Sequence, residues 1–232
     1  PGVLEMTGRL SQGKAAQVAR YLPLGVPAPV RDYVRRAVLG GKVPSATFRV
    51  KGDLWDFPFV QRSEGEFRIT AQAQDVMLDS VPAAAAGGAS AWPAFTQVSG
   101  ELVFDRTSMQ IRNASGRLWG VTLAGVQGGI AQLADHAVLK LEGRGNGPAA
   151  DFVRYLRSSP VGGWLEHALD HATAEGSADL QLALSLPLDQ LDKSTVKGSV
   201  GLGGGDLRIR PDVPLLAGAR GLTDLRDTTL VV

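Results

Sequence analysis

Cysteine is absent from this chain of 232 residues, and so is any strong net charge. The lack of cysteine excludes disulfide bonds and thiolate metal sites. It does not fix the cellular compartment, because proteins of oxidising compartments can also lack cysteine. Basic residues exceed acidic ones by only one, which gives a net charge of +1 at pH 7. That balance argues against a general nucleic-acid-binding protein, which needs a basic surface.

The sequence also lacks a signal peptide and a membrane-spanning run. Its longest weakly polar stretch, residues 81–95, is too short and too rich in Gly, Ala and Pro to cross a bilayer. The chain starts on Pro1 rather than Met, and its last residues, TTLVV, have the character of a strand. We therefore expect a fragment of a longer protein, so the missing anchor says nothing about the parent.

The clearest local pattern is a helix followed by a strand over residues 30–59. Apolar side chains recur at helical spacing and predict an amphipathic helix near residues 29–39. The Gly40-Gly41 pair predicts the end of that helix. Apolar and polar residues then alternate over 46–51, which is typical of a strand with one dry face and one wet face.

Most of the remaining chain consists of short alternating segments separated by Asp, Asn and Gly. We predict a mainly β protein with short α-helices: a curved antiparallel sheet, or β-groove of repeating-unit type, with amphipathic helices packed at its face or rim. The aromatic residues from Trp55 to Phe59 predict a packed corner, because Pro58 constrains the chain there. Among the short strands we predict are residues 66–73, 75–79, 108–113, 115–118 and 207–210.

An internal repeat is visible in the sequence. Residues 4–9 (LEMTGR) match residues 139–144 (LKLEGR), and the RYL of residues 20–22 recurs at 154–156 with nearly the same spacing. A second, gap-free match relates residues 98–112 to residues 196–210. Chance similarity between amphipathic β segments is the alternative explanation.

The repeat predicts two units within one continuous domain. The first covers residues 1–135, and the second, a partial copy, covers residues 136–232. Helices are predicted near residues 14–22 and 29–39 in the first unit, and near residues 148–157 and 163–171 in the second.

No catalytic constellation is apparent. His167 and His171 have a metal-compatible spacing, but HALDH lacks the Glu that follows the first His in zinc proteases, so we predict a polar helix face and no metal. Ser11 and Lys14 form a Ser-x-x-Lys pair without the other motifs of that enzyme class, and we expect Ser11 to cap a helix. We therefore predict that the protein is not an enzyme and needs no cofactor.

The segment VRDYVRRAVLGGKVPSATFRVKGDLWDFPF, residues 30–59, resembles a hallmark stretch of the YhdP branch of the AsmA-like family of Gram-negative envelope proteins. GEF at 65–67, Trp92-Pro93, GELVFD at 100–105 and Arg117-Leu118 also resemble that family. The resemblance covers most of the chain and weakens after about Leu188. It implies a very long protein anchored in the inner membrane by one N-terminal helix. Its periplasmic body would be a β-sheet curled into a groove that conducts phospholipid toward the outer membrane.

The resemblance implies that this chain is a periplasmic section of a bridge-like lipid-transport protein. Its partners would be phospholipid acyl chains and the adjacent sections of the same protein. Contact with the membrane would be made only through the parent, and no nucleic acid is expected. The alternative is a β-rich scaffold segment of an envelope protein that makes protein contacts and binds no lipid.

A curled sheet with one dry face offers acyl chains a continuous apolar surface while its backbone groups stay paired. The alternative for each dry-face residue is an ordinary core position beneath a helix. The residues expected to line the groove are Leu4, Met6, Phe48, Val50, Phe67, Ile69, Leu102, Phe104, Leu139, Leu141, Leu180, Leu182, Leu184 and Leu186.

Overall fold

The structure, a computed structural model, is dominated by one antiparallel sheet of ten strands. It describes residues 2–22, 26, 28–61, 63–83, 92–133, 136–159, 170–190 and 193–230, with side chains as far as residue 222. In chain order the strands are β1 (Val3–Lys14), β2 (Val38–Asp53), β3 (Gly65–Leu78), β4 (Phe95–Asp105), β5 (Ser108–Leu118), β6 (Val121–Ile130), β7 (Val138–Pro148), β8 (Thr173–Ala174), β9 (Ser177–Pro187), β10 (Ser194–Gly203), β11 (Leu207–Arg208) and β12 (Arg220–Leu230).

Strands β1 to β7 follow one another across the sheet in chain order, and β9, β10 and β12 continue it. Every neighbouring pair is antiparallel, and β1 and β12 form the two edges. The sheet therefore runs from residues 1–135 into 136–232 without a break between β6 and β7. The prediction of a mainly β fold built on a curved antiparallel sheet is confirmed, whereas the division into two repeat units stays a prediction.

The described helices are short. They are α1 (Ala28–Ala37), α2 (Ala149–Ser158) and two 3-10 helices, Ala15–Tyr21 and Leu54–Asp56. Three of them agree with the helices predicted near residues 14–22, 29–39 and 148–157. The fourth predicted helix, near residues 163–171, lies almost wholly outside the described residues.

The connections divide the sheet into two unlike ends. At the helical end, β1 leads to β2 through the first 3-10 helix and α1, and β7 leads into α2. At the turn end, β4 joins β5 through a two-residue turn at residues 106–107. Both α-helices therefore lie at the same end of the sheet.

The strand register separates the sheet into an apolar face and a polar face. Phe48, Ile69 and Phe104 are cross-strand partners, and they belong to the apolar face. Their chain neighbours Arg68 and Asp105 are partners on the polar face. Because successive side chains of a strand point to opposite sides, the alternation seen in the sequence produces both faces at once.

A line of β-bulges crosses the sheet near its helical end. The register shifts on β3, β4, β5 and β6, at places that contain Asp75, Gln97, Asn113 and Gly125 in the left-handed region. A bulge bends its strand and increases the local twist, so aligned bulges curve the sheet as a whole. They also correct two predictions, because residues 66–78 and 108–118 each belong to one bulged strand rather than to two strands separated by a turn.

The Gly40-Gly41 pair does not end a helix, contrary to the sequence prediction. Strand β2 already begins at Val38 and continues through both glycines to Asp53. Gly41 has a φ of 111°, and a Cβ atom there would lie 2.5 Å from the Cα of Val76 on β3. The glycine is therefore required by close strand approach rather than by helix termination.

Two other predictions are wrong. Ser11 does not cap a helix, because β1 extends to Lys14 and Ser11 pairs with Ser45 in the sheet. The strand predicted over residues 207–210 contains only Leu207 and Arg208, and it pairs with β8 in a separate two-stranded ribbon. This segment therefore lies outside the main sheet, and the predicted correspondence with β5 is lost there.

Candidate functional site

The predicted groove-lining residues all lie on the apolar face of the sheet. Phe48, Ile69 and Phe104 form one row of cross-strand partners, and Val50 pairs with Phe67. On β7 and β9, Leu139 pairs with Leu186 and Leu141 with Leu184, whereas Leu180 and Leu182 pair with glycines. Leu4 and Met6 join this face through Gly52 and Val50 of β2. The structure thus brings together a set that the sequence placed on separate strands, and their contact with lipid stays a prediction.

Two rows of apolar residues cross the sheet perpendicular to the strands. The first track is Phe48, Ile69, Phe104, Met109, Ile130, Leu139 and Leu186, each paired with the next. The second track is Leu10, Ala46, Ala71, Leu102, Ile111, Gly128, Leu141, Leu184 and Val196. Neither row contains a polar side chain, so an apolar path runs across nearly the whole sheet.

Sequence reasoning missed the part of this face that β5, β6 and β10 contribute. The alternation in β5 and β6 changes phase at the bulges, so a simple period of two does not join both halves of either strand. Shifting the predicted alternation by one residue at Asn113 and at Gly125 would have joined the two halves of each strand. Asn and Gly are the residues that tolerate the left-handed conformation such a bulge needs. The missed residues are Met109, Ile111, Ala114, Leu118, Val121, Leu123, Val126, Ile130, Val196, Val200 and Leu202.

The side chains of the apolar face pack against one another but remain partly exposed. All the predicted lining residues are half-buried except Met6, which is 44% exposed. Phe48 lies across Gly8 of β1, and Leu182 lies across Gly198 of β10. Each large side chain thus occupies the space left by the glycine on the neighbouring strand. The apolar face is therefore even, and it carries fewer bulky side chains than its number of positions would allow.

Helix α2 covers this face only at the helical end. Its Phe152 and Val153 pack against a small buried cluster that includes Ala178 of β9, and Leu202 of β10 packs against the same cluster. Helix α1 contacts the first 3-10 helix and β2. Among the described residues, the helices leave the central parts of both tracks uncovered, which a closed hydrophobic core would not allow.

Side chains from two loops hold α2 at this rim. The Asp151 carboxylate accepts a hydrogen bond from the Gly120 N–H at 3.0 Å, and the Arg154 guanidinium lies 4.1 Å from the Trp119 ring centre. The Tyr155 and Trp92 rings are 6.1 Å apart between centres. Both the β5–β6 turn and the loop before β4 therefore fix the helix in place.

Tyr155 makes this attachment sensitive to alkali. Burial raises the pKa of its hydroxyl from 10.0 to about 12, because the phenolate would lose its water. Above pH 10 the unfolded chain releases this proton first, so the free energy of unfolding falls as the pH rises toward 12. Two pKa units correspond to a loss of about 2–3 kcal/mol.

We expect Tyr155→Phe to remove most of this alkaline loss of stability. Urea denaturation of both proteins at about pH 9 and about pH 12 measures the difference, and other groups that titrate there cancel between the variants. Parallel losses of stability in the two proteins would contradict the assignment.

The polar face carries cross-strand ion pairs. Lys51 Nζ lies 3.2 Å from Glu5 Oε2, and Arg49 Nε lies 2.7 Å from Glu66 Oε2. These side chains are all more than a third exposed, so each pair contributes about 0–1 kcal/mol. Their main consequence is that this face stays hydrated, so the sheet has one hydrated face and one apolar face.

The aromatic corner closes the β2–β3 connection, as the sequence indicated. The Phe57 ring makes edge contacts with Phe59 at 5.8 Å and with Phe67 at 5.0 Å between centres. Phe59 is 0% exposed, whereas Trp55 is 78% exposed. Phe59 is thus the largest fully buried side chain that the structure describes.

A polar cleft of about 520 Å³ lies beside the β8–β11 ribbon at the helical end. Ala174 and Leu207 of the ribbon pack toward α2 and the apolar face, whereas their neighbours Thr173 and Arg208 line the cleft. The ribbon therefore separates the cleft from both tracks. His171 lines it too, but its predicted partner His167 lies outside the described residues, and no metal-binding group of three or more side chains occurs among the residues described.

None of the helices that the structure describes has the length and hydrophobicity needed to cross a membrane. A family model described as "YhdP protein" matches residues 1–221. No curated protein and no solved structure matches the chain. Because the family match covers nearly the whole sequence, this chain belongs to the YhdP family of AsmA-like envelope proteins.

Proposed function

We propose that this chain is a periplasmic section of a bridge-like lipid-transport protein, and that its apolar face carries phospholipid acyl chains between the inner and outer membranes. The observation that supports this most directly is the pair of uncovered apolar tracks crossing the sheet. They run perpendicular to the strands, so an acyl chain lying on them passes from strand to strand without meeting a polar side chain. No catalytic step is part of the proposal.

The dimensions of the sheet suit an extended acyl chain. The second track crosses nine strands, and neighbouring strands are about 4.8 Å apart, so it is about 38 Å long. Half the hydrocarbon core of a bilayer, about 15 Å, approximates the length of one acyl chain. Two chains therefore fit end to end, as movement along a conduit requires.

The energetics favour occupancy by a flexible apolar ligand. Removing a methylene group from water is worth about 0.8 kcal/mol, so ten of them give about 8 kcal/mol before the cost of ordering the chain. Because the tracks present no hydrogen-bond donors to orient a ligand, binding depends on apolar contact and tolerates sliding. A conduit needs that combination of affinity and weak positional preference.

The strand edges provide for continuation into adjacent sections. β1 and β12 each pair with one neighbour in the sheet, so each has an outer edge of backbone groups available to a further strand. We propose that neighbouring sections of the parent protein pair there and extend both tracks. A scaffold segment without lipid would instead have its apolar face filled by its own side chains, and the partial exposure of most residues in the two tracks favours the conduit.

Site-specific photo-crosslinking tests the proposal. A photoreactive residue at Phe48, Phe104 or Leu182 on the apolar face is expected to form phospholipid adducts that mass spectrometry identifies. The matched controls are Thr47 and Gln181, which are chain neighbours on the exposed polar face. Adducts that are equally frequent at the control positions, or confined to them, would refute the conduit.

A further inference from the structure

The edge strand β1 has a sequence that is complementary to itself. Residues 4–10 read LEMTGRL, with Thr7 at the centre. A leucine stands three residues away on either side of it, and a glutamate and an arginine stand two residues away on opposite sides. When two such strands pair antiparallel about Thr7, residues equally far from the centre lie opposite each other. Leu4 then faces Leu10 and Glu5 faces Arg9, and each contact occurs twice.

The outer side of β1 is open to a further strand. β1 forms one edge of the sheet, runs for 12 residues without proline, and keeps its register with β2 free of bulges. Natural edge strands are commonly blocked by a proline, a bulge or a charge directed to the apolar side. Within residues 3–11 the charged side chains, Glu5 and Arg9, lie on the polar face and leave the edge unobstructed.

The polar side of β1 offers charges that match between two copies. Arg9 is exposed beside Thr47 and forms no ion pair with any acidic side chain that the structure describes. Glu5 contacts Lys51 at 3.2 Å and Arg49 at 3.9 Å. In the paired strands the glutamate of each copy lies opposite the arginine of the other. Opposite charges in this position favour strand pairing.

The apolar side of β1 matches as well. Leu4 of each copy lies opposite Leu10 of the other. Met6, which is 44% exposed, lies opposite Gly8. Because Phe48 already lies across Gly8, the methionine of the second copy reaches the edge of an aromatic ring, which is a favourable sulfur contact.

Other registers lose this match. Sliding one strand by a single residue sets apolar side chains opposite polar ones, because it exchanges the two faces. Sliding it by two residues sets Val3 opposite Arg9 in one direction. In the other direction it sets Glu5 opposite Ser11. The register centred on Thr7 satisfies both charges and also pairs the two threonines, a further favourable cross-strand contact.

We propose that β1 pairs antiparallel with β1 of a second copy of this chain, about a two-fold axis at Thr7. The axis is perpendicular to the sheet, so the sheets of the two copies join with their apolar faces on the same side. The inference does not rest on lipid binding. A neighbouring section of the parent protein would occupy the same edge, so the second copy pairs with β1 while no such section does.

Reversal of the two charges tests the interface. Sedimentation equilibrium of the whole chain without lipid is expected to show a dimer for the wild type. Arg9→Glu and Glu5→Arg each set like charges opposite each other, and each is expected to weaken dimerisation at least about tenfold. An equimolar mixture of the two variants is expected to form a heterodimer, because the acidic pair of one chain then faces the basic pair of the other.

Arg144→Glu is the matched control. Arg144 is the counterpart of Arg9 in the internal repeat and is also exposed, but its strand β7 is paired on both sides, with β6 and with β9. Its replacement is expected to leave the dimer intact. Circular dichroism of each variant verifies that the sheet is folded before the association constants are compared.

A disulfide at the axis gives an independent test, because the chain has no cysteine of its own. Residues directly opposed on antiparallel strands have Cα atoms about 4.5–5.5 Å apart, which a disulfide can span. Thr7→Cys is therefore expected to give a covalent dimer under mild oxidation. Thr47→Cys, an exposed position of the same face on β2, is the control and is expected to give none.

Each contrary result identifies what fails. A wild type that stays monomeric at about 100 µM would overturn the dimer and leave β1 to a neighbouring section. A dimer that Arg9→Glu does not weaken would place the contact elsewhere, on the apolar faces or at β12, and would overturn this interface. Variants that fail to associate when mixed, or equal disulfide formation at Thr7 and Thr47, would overturn the register. None of these results bears on the acyl-chain path, which photo-crosslinking tests separately.

Discussion

An aspartate in place of Leu141 is expected to reduce phospholipid binding at least about 100-fold. Leu141 lies in the second track between Gly128 and Leu184. An acyl chain at that point would have to strip water from a carboxylate that has no partner on the apolar face, which costs several kcal/mol per ion. The loss of leucine contact area adds about 1.5–3 kcal/mol.

The free protein is expected to tolerate this change, because Leu141 is partly exposed and its carboxylate replacement stays hydrated until lipid binds. Lys140→Asp is the matched control, since it introduces the same side chain one residue earlier, on the polar face. The measurement is dipalmitoylphosphatidylglycerol binding by native mass spectrometry. Equal binding by the two aspartate variants would show that the second track is not the lipid path.

Phe59→Ala is expected to destabilise the fold by about 3–5 kcal/mol, the range for truncating a buried phenylalanine. The Phe59 ring rests on the cross-strand pair Gly52 and Gly65, where added Cβ atoms would approach it to 2.6 and 2.7 Å. Because neither glycine has a side chain with which to refill the space, the cavity cannot close by local repacking. A loss of this size is a large part of the stability of a typical domain.

Trp55→Ala is the control, because Trp55 belongs to the same corner but is 78% exposed. Its replacement is expected to change the free energy of unfolding by no more than about 0.5 kcal/mol. Urea denaturation monitored by circular dichroism measures both variants. Similar losses in the two would mean that the corner is not held by Phe59.

Local pattern was sufficient to predict most strands and the polarity of their faces. The alternation in β7 and β9 correctly assigned Leu139 and Leu184 to the dry side, because side-chain direction in a strand depends only on the parity of its position. The same reasoning failed in β3 and β5, where it predicted a break between two strands next to Asp75 and next to Asn113. They occupy left-handed positions inside continuous strands, and only pairing with the neighbouring strands distinguishes such a bulge from a turn.

Non-local pairing also overrode the strongest helix-end pattern in the chain. Gly40-Gly41 has the composition of a helix terminus, yet hydrogen bonding with β3 draws the segment into β2. The closeness of Val76 to Gly41 explains the glycine in a way that no local pattern reveals. The ion pair between Arg68 and Asp105 was likewise invisible in the sequence, because the two residues are 37 positions apart.

By itself, the sequence determined that this protein would be a sheet with one dry and one wet side. Only the tertiary structure decided that the dry sides of the successive strands align into two uninterrupted tracks, and that the described helices cover them only at one end. The reason is that alternation is a property of each strand alone. Alignment between strands is set by register, which depends on hydrogen bonds and bulges between residues far apart in the chain.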